Sequence, residues 1–177
     1  ICFTKTSVWE NAEEYTKIFF KNFIKNLKKK NKFKVTELFL PKEFDLAHKM
    51  HQAIYAKSLS YYFKNELKNK TLVSKIFYDF ASHAKKIDMK QFDLALNYQS
   101  KINQLLDKQF QNFDVVFSLS TAGHAPFRNE KQKDDPSLIW TLCGVPTINL
   151  PVFKTKENLP LGIQVFSRKY DDILLLE

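Results

Sequence analysis

The sequence predicts an α/β fold in which a mixed, largely parallel sheet is flanked by helices. Three observations lead to this prediction. A strand, a helix and a second strand open the chain, three helices follow in a row, and short apolar strands separated by polar loops close it. Strands that alternate with helices are typical of α/β sheets, because parallel neighbours need a long crossover connection.

The opening segment has the pattern of a parallel strand, helix, strand unit. Residues 1–4, ICFT, are strand-like, and residues 33–40, FKVTELFL, are β-prone and stop at Pro41. Between them, residues 10–30 predict an amphipathic helix, since apolar residues recur at spacings of three and four with lysines in between. Its apolar stripe is Ala12, Tyr15, Phe19, Phe23 and Leu27.

The rest of the chain divides into a helical segment and a strand-rich segment. Residues 41–112 predict three helices, the third capped by Asp88. Residues 113–177 predict a buried strand, a short helix, two strands and the start of a last helix. Gly144 and Gly162 each precede a β-branched run, so we expect a turn followed by a strand at both places, with the two strands adjacent. We expect a single domain over 1–177, cut at both ends.

Composition excludes several classes of protein. The chain has three glycines and no Gly-rich phosphate-binding or dinucleotide-binding loop. Its two cysteines are far apart in sequence, which favours reduced thiols in a cytoplasmic protein. No apolar run approaches the length of a membrane span. We therefore expect a soluble protein with no membrane partner.

The positive charge does not by itself indicate a nucleic-acid partner. The net charge is +9, but the lysines are spread along all the predicted helices of residues 10–112 and only two arginines are present. The dense run at residues 27–34, LKKKNKFK, fits a helix C-terminus, where cations complement the helix dipole. Arginine supplies the forked donors that read bases and phosphates. We expect no nucleic-acid partner.

An ordered set of short motifs runs through residues 113–176. In chain order they are FDVVFSLSTAGHAP, a loop ending in DDP, SLIWTLCGVP, TINLP, a loop ending in LP, LGIQVFS and DDILLL. This set resembles the C-terminal portion of the amidase signature family. The opening residues also look like the strand and helix that follow the catalytic region there, and VTELFLP looks like the next strand. The resemblance covers nearly the whole chain.

The resemblance implies hydrolysis of amide bonds by a serine, a bridging serine in a cis peptide and a lysine. The lysine must be neutral to act as a base, so burial has to lower its pKa. In the family these residues lie in a Gly/Ser-rich stretch upstream of the part resembled here, and residues 1–177 contain no Ser-Ser or Gly-Gly pair. We therefore expect a C-terminal part of an amidase-type hydrolase that is inactive alone.

The expected partners follow from this interpretation. They are the missing N-terminal catalytic portion and, in the full enzyme, a small amide substrate. Self-association is expected as well, because apolar surface would be left uncovered. The family implies no cofactor and no metal.

Taken residue by residue, the resemblance implies positions in the wall of the substrate pocket and no catalytic position. The substrate-pocket candidates are Thr121, Gly123, His124, Ala125, Trp140 and Thr141. Trp140 can equally be a core aromatic, and Gly144 a helix C-cap. For the 121–125 loop, a pocket role and a scaffold role stay open. His124 has a structural role as its first interpretation and a substrate contact as its second.

Two further patterns match a catalytic motif and a metal site only in part. Ser82 and Lys85 match Ser-x-x-Lys, but the companion Lys-Thr-Gly is absent. His48, His51 and Asp45 fall on one side of a predicted helix without further ligands, so solvated histidines are expected rather than a metal site.

Other functions stay open beside the amidase interpretation. They are a non-catalytic binding module that keeps the amidase fold, a fragment similar to the A-subunit of an amidotransferase, and a basic protein associated with nucleic acid. The WT and CGVP motifs look more like those of stand-alone amidases than those of the amidotransferase.

Overall fold

Five strands form one mixed sheet in the part of the chain that the structure describes. The structure is a computed structural model that describes residues 1–30, 32, 34–128, 130 and 132–177. The strands are β1 (Cys2–Thr4), β2 (Thr36–Leu38), β3 (Val115–Leu119), β4 (Thr147–Lys154) and β5 (Pro160–Ser167), in the order β2-β1-β3-β5-β4. β1 is parallel to β2 and β3, whereas β5 is antiparallel to β3 and β4. The predicted mixed sheet is confirmed, with β5 as the reversed strand.

The opening unit is parallel, as predicted. Helix α1 (Glu14–Lys29) connects β1 to β2, and Cys2 lies opposite Thr36 in the ladder. The second strand is shorter than the β-prone run, because β2 pairs with β1, which has only three residues. Phe33, at the start of the predicted strand, lies outside the described residues.

The most buried face of α1 differs from the predicted stripe. Phe20 and Ile24 are buried, whereas Phe19, Phe23 and Leu27 are only partly buried. Phe20 packs in the cluster that contains Phe3, Trp9 and Phe117, over the middle of the sheet. Phe19 stacks on Phe153, with ring centroids 5.2 Å apart, toward the edge of the sheet. The apolar arc of α1 is therefore wider than the sequence interpretation allowed.

Helices cover the other face of the sheet. They are α2 (Ala47–Tyr62), with α3 (Lys75–Ser82) packed on it, α4 (Met89–Gln109) and α5 (Leu138–Cys143), and α6 (Asp172–Leu176) follows β5. The predicted cap of α4 is confirmed, because the Asp88 carboxylate accepts from the Gln91 N–H at 2.7 Å and the Gln91 side chain accepts from the Asp88 N–H at 3.0 Å. Met50, Ile102, Trp140 and Phe166 belong to the buried cluster on this face. The sheet is thus flanked by helices on both faces.

Gly144 and Gly162 have different roles. Gly144 ends α5 in the left-handed conformation, with φ of +62°, and its N–H donates to the Trp140 carbonyl at 2.9 Å. Gly162 lies inside β5 rather than before it, so the expected turn at Gly162 is wrong. A Cβ there would fall 2.3 Å from the Asn149 Oδ1 atom, so the glycine makes room for the Asn149 side chain. The strands themselves, β4 and β5, are adjacent as expected.

Both cysteines lie in the core, and the helices are too short or too polar to span a membrane among the described residues. Cys2 and Cys143 are buried free thiols, and burial raises the pKa of each to about 12. None of the helices formed by the described residues has the length and apolar character that a membrane crossing requires.

Candidate functional site

A cleft of about 600 Å³ opens at the carboxyl end of β3. It is lined by the loop that follows β3, by residues just before and within the first turn of α1, and by residues of β4 and β5. In α/β sheets the carboxyl ends of parallel strands are where loops gather and where ligands commonly bind. The position of this cleft makes it the leading candidate site.

The structure brings four of the six sequence candidates together. Thr121, Gly123, His124 and Ala125 line the cleft, whereas Trp140 and Thr141 are not among its lining residues. Thr141 is exposed on α5. A role for any of the six in substrate binding stays a prediction.

Trp140 lies in the core. Its ring stacks on Phe166, with centroids 3.9 Å apart, and its Nε1–H donates to the Ser118 hydroxyl at 2.8 Å. Trp140 and Ser118 are both fully buried. Buried tryptophan usually finds a partner for its N–H, and here β3 supplies that partner. The geometry is that of a scaffold residue that joins α5 to the sheet.

The 121–125 loop is held against the start of α1. The Tyr15 hydroxyl lies 2.6 Å from Nδ1 of His124 and accepts from the His124 backbone N–H at 3.0 Å. The backbone N–H of Glu13 donates to the Ala122 carbonyl at 2.7 Å. A Cβ at Gly123 would lie 2.9 Å from Glu13 Cγ and 3.1 Å from the Tyr15 hydroxyl, so any larger residue there would push these side chains aside.

Residues 132–135, further along the connection between β3 and α5, are anchored to Glu13, which directly precedes α1, and to α2. Lys133 pairs with Glu13 at 2.5 Å. His48 Nε2 donates to the Asp135 carbonyl at 2.9 Å, and the Asp135 carboxylate accepts from Gln132 at 2.8 Å. Burial raises the pKa of Asp135, while the Ala122 backbone N–H and His48 oppose that shift. The loop therefore has anchors at both ends.

The expectation of solvated histidines on α2 is wrong. His48 is half-buried and hydrogen-bonded to the loop, and the Nδ1 atoms of His48 and His51 are buried without a hydrogen-bond partner among the described residues. Burial, followed by the proximity of His48, lowers the pKa of His51. Within the described residues, no cluster of three or more His, Cys, Asp or Glu has the geometry to hold a metal ion.

The cleft has polar groups, but none of its described serines is hydrogen-bonded to a lysine. The Ser120 hydroxyl donates to the Gly162 carbonyl and the Thr121 hydroxyl to the Gly123 carbonyl, each at 2.8 Å. Lys133 is the lysine among the described lining residues, and its Nζ pairs with the Glu13 carboxylate at 2.5 Å rather than with a serine. Ser82, at the end of α3, does not line this cleft. The described lining residues therefore offer hydrogen-bonding groups to a polar ligand.

Comparison with protein families decides the class of the protein. The model of the family Amidase matches residues 1–176. The chain belongs to the amidase family. The predicted membership is confirmed, and it applies to the strand-rich segment and to the opening unit alike.

Individual amidase-family relatives are distant and much longer than the aligned region. The chain is 27% identical over 95 residues to the A-subunit of the glutamyl-tRNA(Gln) amidotransferase of Treponema denticola, an alignment that covers 49% of this chain and 19% of that protein. It is 24% identical over 131 residues to the A-subunit of the mitochondrial glutamyl-tRNA(Gln) amidotransferase of Aedes aegypti, which covers 68% of this chain and 26% of that protein.

Solved amidase structures have the same fold. A crystal structure described as an amidase superposes with a TM-score of 0.83 at 17% identity, covering 99% of this chain and 43% of that one. A structure of 6-aminohexanoate cyclic dimer hydrolase with substrate gives a TM-score of 0.74 at 12% identity, with 98% and 42% covered. The chain thus corresponds to less than half of the length of these amidases.

Sequence reasoning missed Tyr15 and Glu13 as parts of the cleft. The periodicity of α1 places Tyr15 in the core stripe, and Glu13 stands before the helix without any motif. Their partners lie more than a hundred residues away in sequence, so no local pattern reports the contact. The position of Tyr15 in the first turn of a helix that follows a parallel strand was the available signal.

Proposed function

We propose that residues 1–177 form the C-terminal scaffold portion of an amidase-type hydrolase. In this proposal they supply one wall of the substrate cleft, and the serines and lysine that perform the hydrolysis belong to the remaining portion of the family fold. The observation that carries the proposal is the family match over residues 1–176, together with a cleft whose described lining contains no serine hydrogen-bonded to a lysine. A cytoplasmic location is part of the proposal, since both cysteines are free thiols.

The chemistry of the cleft suits a small amide substrate. An amide has a carbonyl oxygen that accepts hydrogen bonds and an N–H group that donates them. The lining offers the His124 ring and the Asn149 side chain beside apolar surface from Pro151 and Leu161. A few polar groups set in apolar walls are what orient small ligands in protein sites. The pocket candidates Thr121, Gly123, His124 and Ala125 belong to this wall.

A second candidate function is that of a portion of an amidotransferase, corresponding to its A-subunit. The observation that favours it is what two of the relatives are. The proteins from Treponema denticola and Aedes aegypti are both named as the A-subunit of a glutamyl-tRNA(Gln) amidotransferase. In that case the same cleft would serve a protein that acts with other subunits. The choice between glutamine and simple amides as substrates in the assay below separates the two candidates.

Reassembly with an N-terminal portion tests the proposal. Residues 1–177 are co-expressed with the Gly/Ser-rich N-terminal portion of an amidase-family enzyme, and ammonia release is measured with small aliphatic amides and with glutamine. We expect the two portions to co-purify and the pair to hydrolyse an amide that neither portion hydrolyses alone.

The control replaces residues 1–177 by the enzyme's own C-terminal portion. If that control pair assembles and turns over while the pair with residues 1–177 does not associate, the proposal is wrong. Association without turnover, beside an active control, would instead indicate a binding module that keeps the amidase fold.

A further inference from the structure

We propose that Tyr15 is a positioning residue that holds His124 in the neutral tautomer with the proton on Nε2, so that the ring donates a hydrogen bond to the carbonyl oxygen of an amide bound in the cleft. The amide ligand rests on the proposed function. The tautomer is a property of the chain itself and is tested separately.

The hydrogen bonds at the Tyr15 hydroxyl determine the tautomer. A backbone N–H can only donate, so the Tyr15 oxygen accepts from the N–H of His124 at 3.0 Å. The same oxygen lies 2.6 Å from His124 Nδ1. If the hydroxyl donates to Nδ1, the hydroxyl proton, the backbone N–H and the Nδ1 lone pair are all satisfied by two hydrogen bonds.

The opposite tautomer leaves a donor without a partner. If Nδ1 carried the proton, the Tyr15 oxygen would accept two hydrogen bonds and its own proton would need another acceptor. The described residues supply no other hydrogen-bond partner to that hydroxyl. Because Tyr15 is partly buried, an unsatisfied donor there is costly. The tautomer with the proton on Nε2 is therefore favoured.

The surroundings of the ring agree with this assignment. The Tyr15 and His124 ring centroids are 6.0 Å apart and the ring planes meet at 29°, so the Tyr15 hydroxyl approaches the edge of the imidazole at Nδ1. Two charged groups of the cleft lining, Glu13 and Lys133, are paired with each other.

His124 is the side chain of the 120–125 stretch whose donor is uncommitted. The hydroxyls of Ser120 and Thr121 already donate to backbone carbonyls within the fold. With Nδ1 engaged by Tyr15, the Nε2–H of a cleft-lining ring remains for a ligand acceptor. An amide carbonyl oxygen is such an acceptor. Tyr15 acts through His124 and need not touch the ligand.

Nitrogen NMR of the histidine side chain tests the tautomer. Long-range proton–nitrogen correlation spectra of ¹⁵N-labelled residues 1–177 distinguish a protonated from an unprotonated ring nitrogen, and His124→Gln assigns the signal. We expect Nε2 to be protonated and Nδ1 to be unprotonated near pH 8. Tyr15→Phe should shift His124 toward a mixture of both tautomers.

Tyr98→Phe is the matched control. It removes a hydroxyl that donates to the Glu43 carbonyl, away from the cleft, and should leave the His124 signals unchanged. Protonation of Nδ1 in the unmodified chain would overturn the inference, and that spectrum decides even if Tyr15→Phe does not fold. Identical His124 signals in the chain and in folded Tyr15→Phe would overturn it too.

The reassembled enzyme supplies the functional readout. In the co-expressed pair described above, Tyr15→Phe should lower kcat/KM by about three- to tenfold, mainly through KM, because one neutral hydrogen bond to the ligand is weakened. Tyr98→Phe should leave KM unchanged. An equal loss in both variants would contradict a positioning role. Absence of turnover in the pair, beside an active control, refutes the proposed function and leaves the tautomer measurement standing.

Discussion

Ser118→Ala is the substitution that tests the placement of Trp140 in the core. It removes the acceptor of the Trp140 Nε1–H, which lies 2.8 Å away in a fully buried environment. Leaving a buried donor unsatisfied costs about 1–3 kcal/mol of unfolding free energy. For a domain of this size, a loss of about 2 kcal/mol lowers Tm by roughly 4–8 °C. Urea unfolding followed by circular dichroism measures the free energy, and a thermal scan measures Tm.

The control and the double-mutant cycle make the result specific. Ser7→Ala changes an exposed serine and should stay within about 0.5 kcal/mol of the unmodified chain. In a Trp140→Phe background, where the donor is already absent, Ser118→Ala should cost about 1 kcal/mol less. If Ser118→Ala is as neutral as Ser7→Ala, the indole is not where the packing argument places it, and its role as a pocket wall regains support.

Three further predictions concern single positions. Gly144→Ala should cost about 1–2 kcal/mol in urea unfolding, because φ is +62° and no atom lies within 4 Å of the new Cβ, so strain alone acts; a neutral result would contradict the left-handed cap. Gly162→Ala should be destabilising in the chain but close to neutral with Asn149→Ala, since the Asn149 side chain fills that space; equal costs in both backgrounds would refute this. Stability should fall as the pH drops below about 6.5, because the lowered pKa of His51 lets the unfolded chain bind the proton first, and His51→Gln should weaken that dependence.

The elements that the sequence predicted correctly have strong local signals. The opening unit, the helices of residues 41–112 and the adjacent strands β4 and β5 follow from periodicity, apolar runs and Gly or Pro at their ends. The cap at Asp88 was predictable because both partners lie within four residues. The end of β2 was not predictable, because the length of β2 depends on how many residues of β1 pair with it.

The loop of the candidate site could be predicted from the sequence, whereas the contacts that hold this loop in place could not. Residues 121–125 were identified through motifs that resemble the amidase family. Tyr15 reaches His124 across 109 positions and His48 reaches Asp135 across 87, and such contacts exist only once the sheet has brought the segments together. Trp140 was ambiguous because a six-residue helix has too few turns for its buried face to be read from periodicity.

The glycines of the cleft connect the fold to the site. Gly123 allows the segment at residues 13–15 to approach the loop, and Gly162 allows Asn149 to lie against β5 at the cleft. A Cβ at either position would displace a side chain that lines the cleft. The shape of the cleft therefore depends partly on the absence of a side chain at Gly123 and at Gly162.

The measurement that tests the central claim most directly is amide hydrolysis by purified residues 1–177 alone. The described residues of the cleft contain no serine hydrogen-bonded to a lysine, so ammonia release from simple amides and hydrolysis of simple esters should stay at the rate of the buffer. Turnover that survives repurification and disappears in Ser82→Ala would contradict it, because the serine would then belong to a hydrolytic site within residues 1–177.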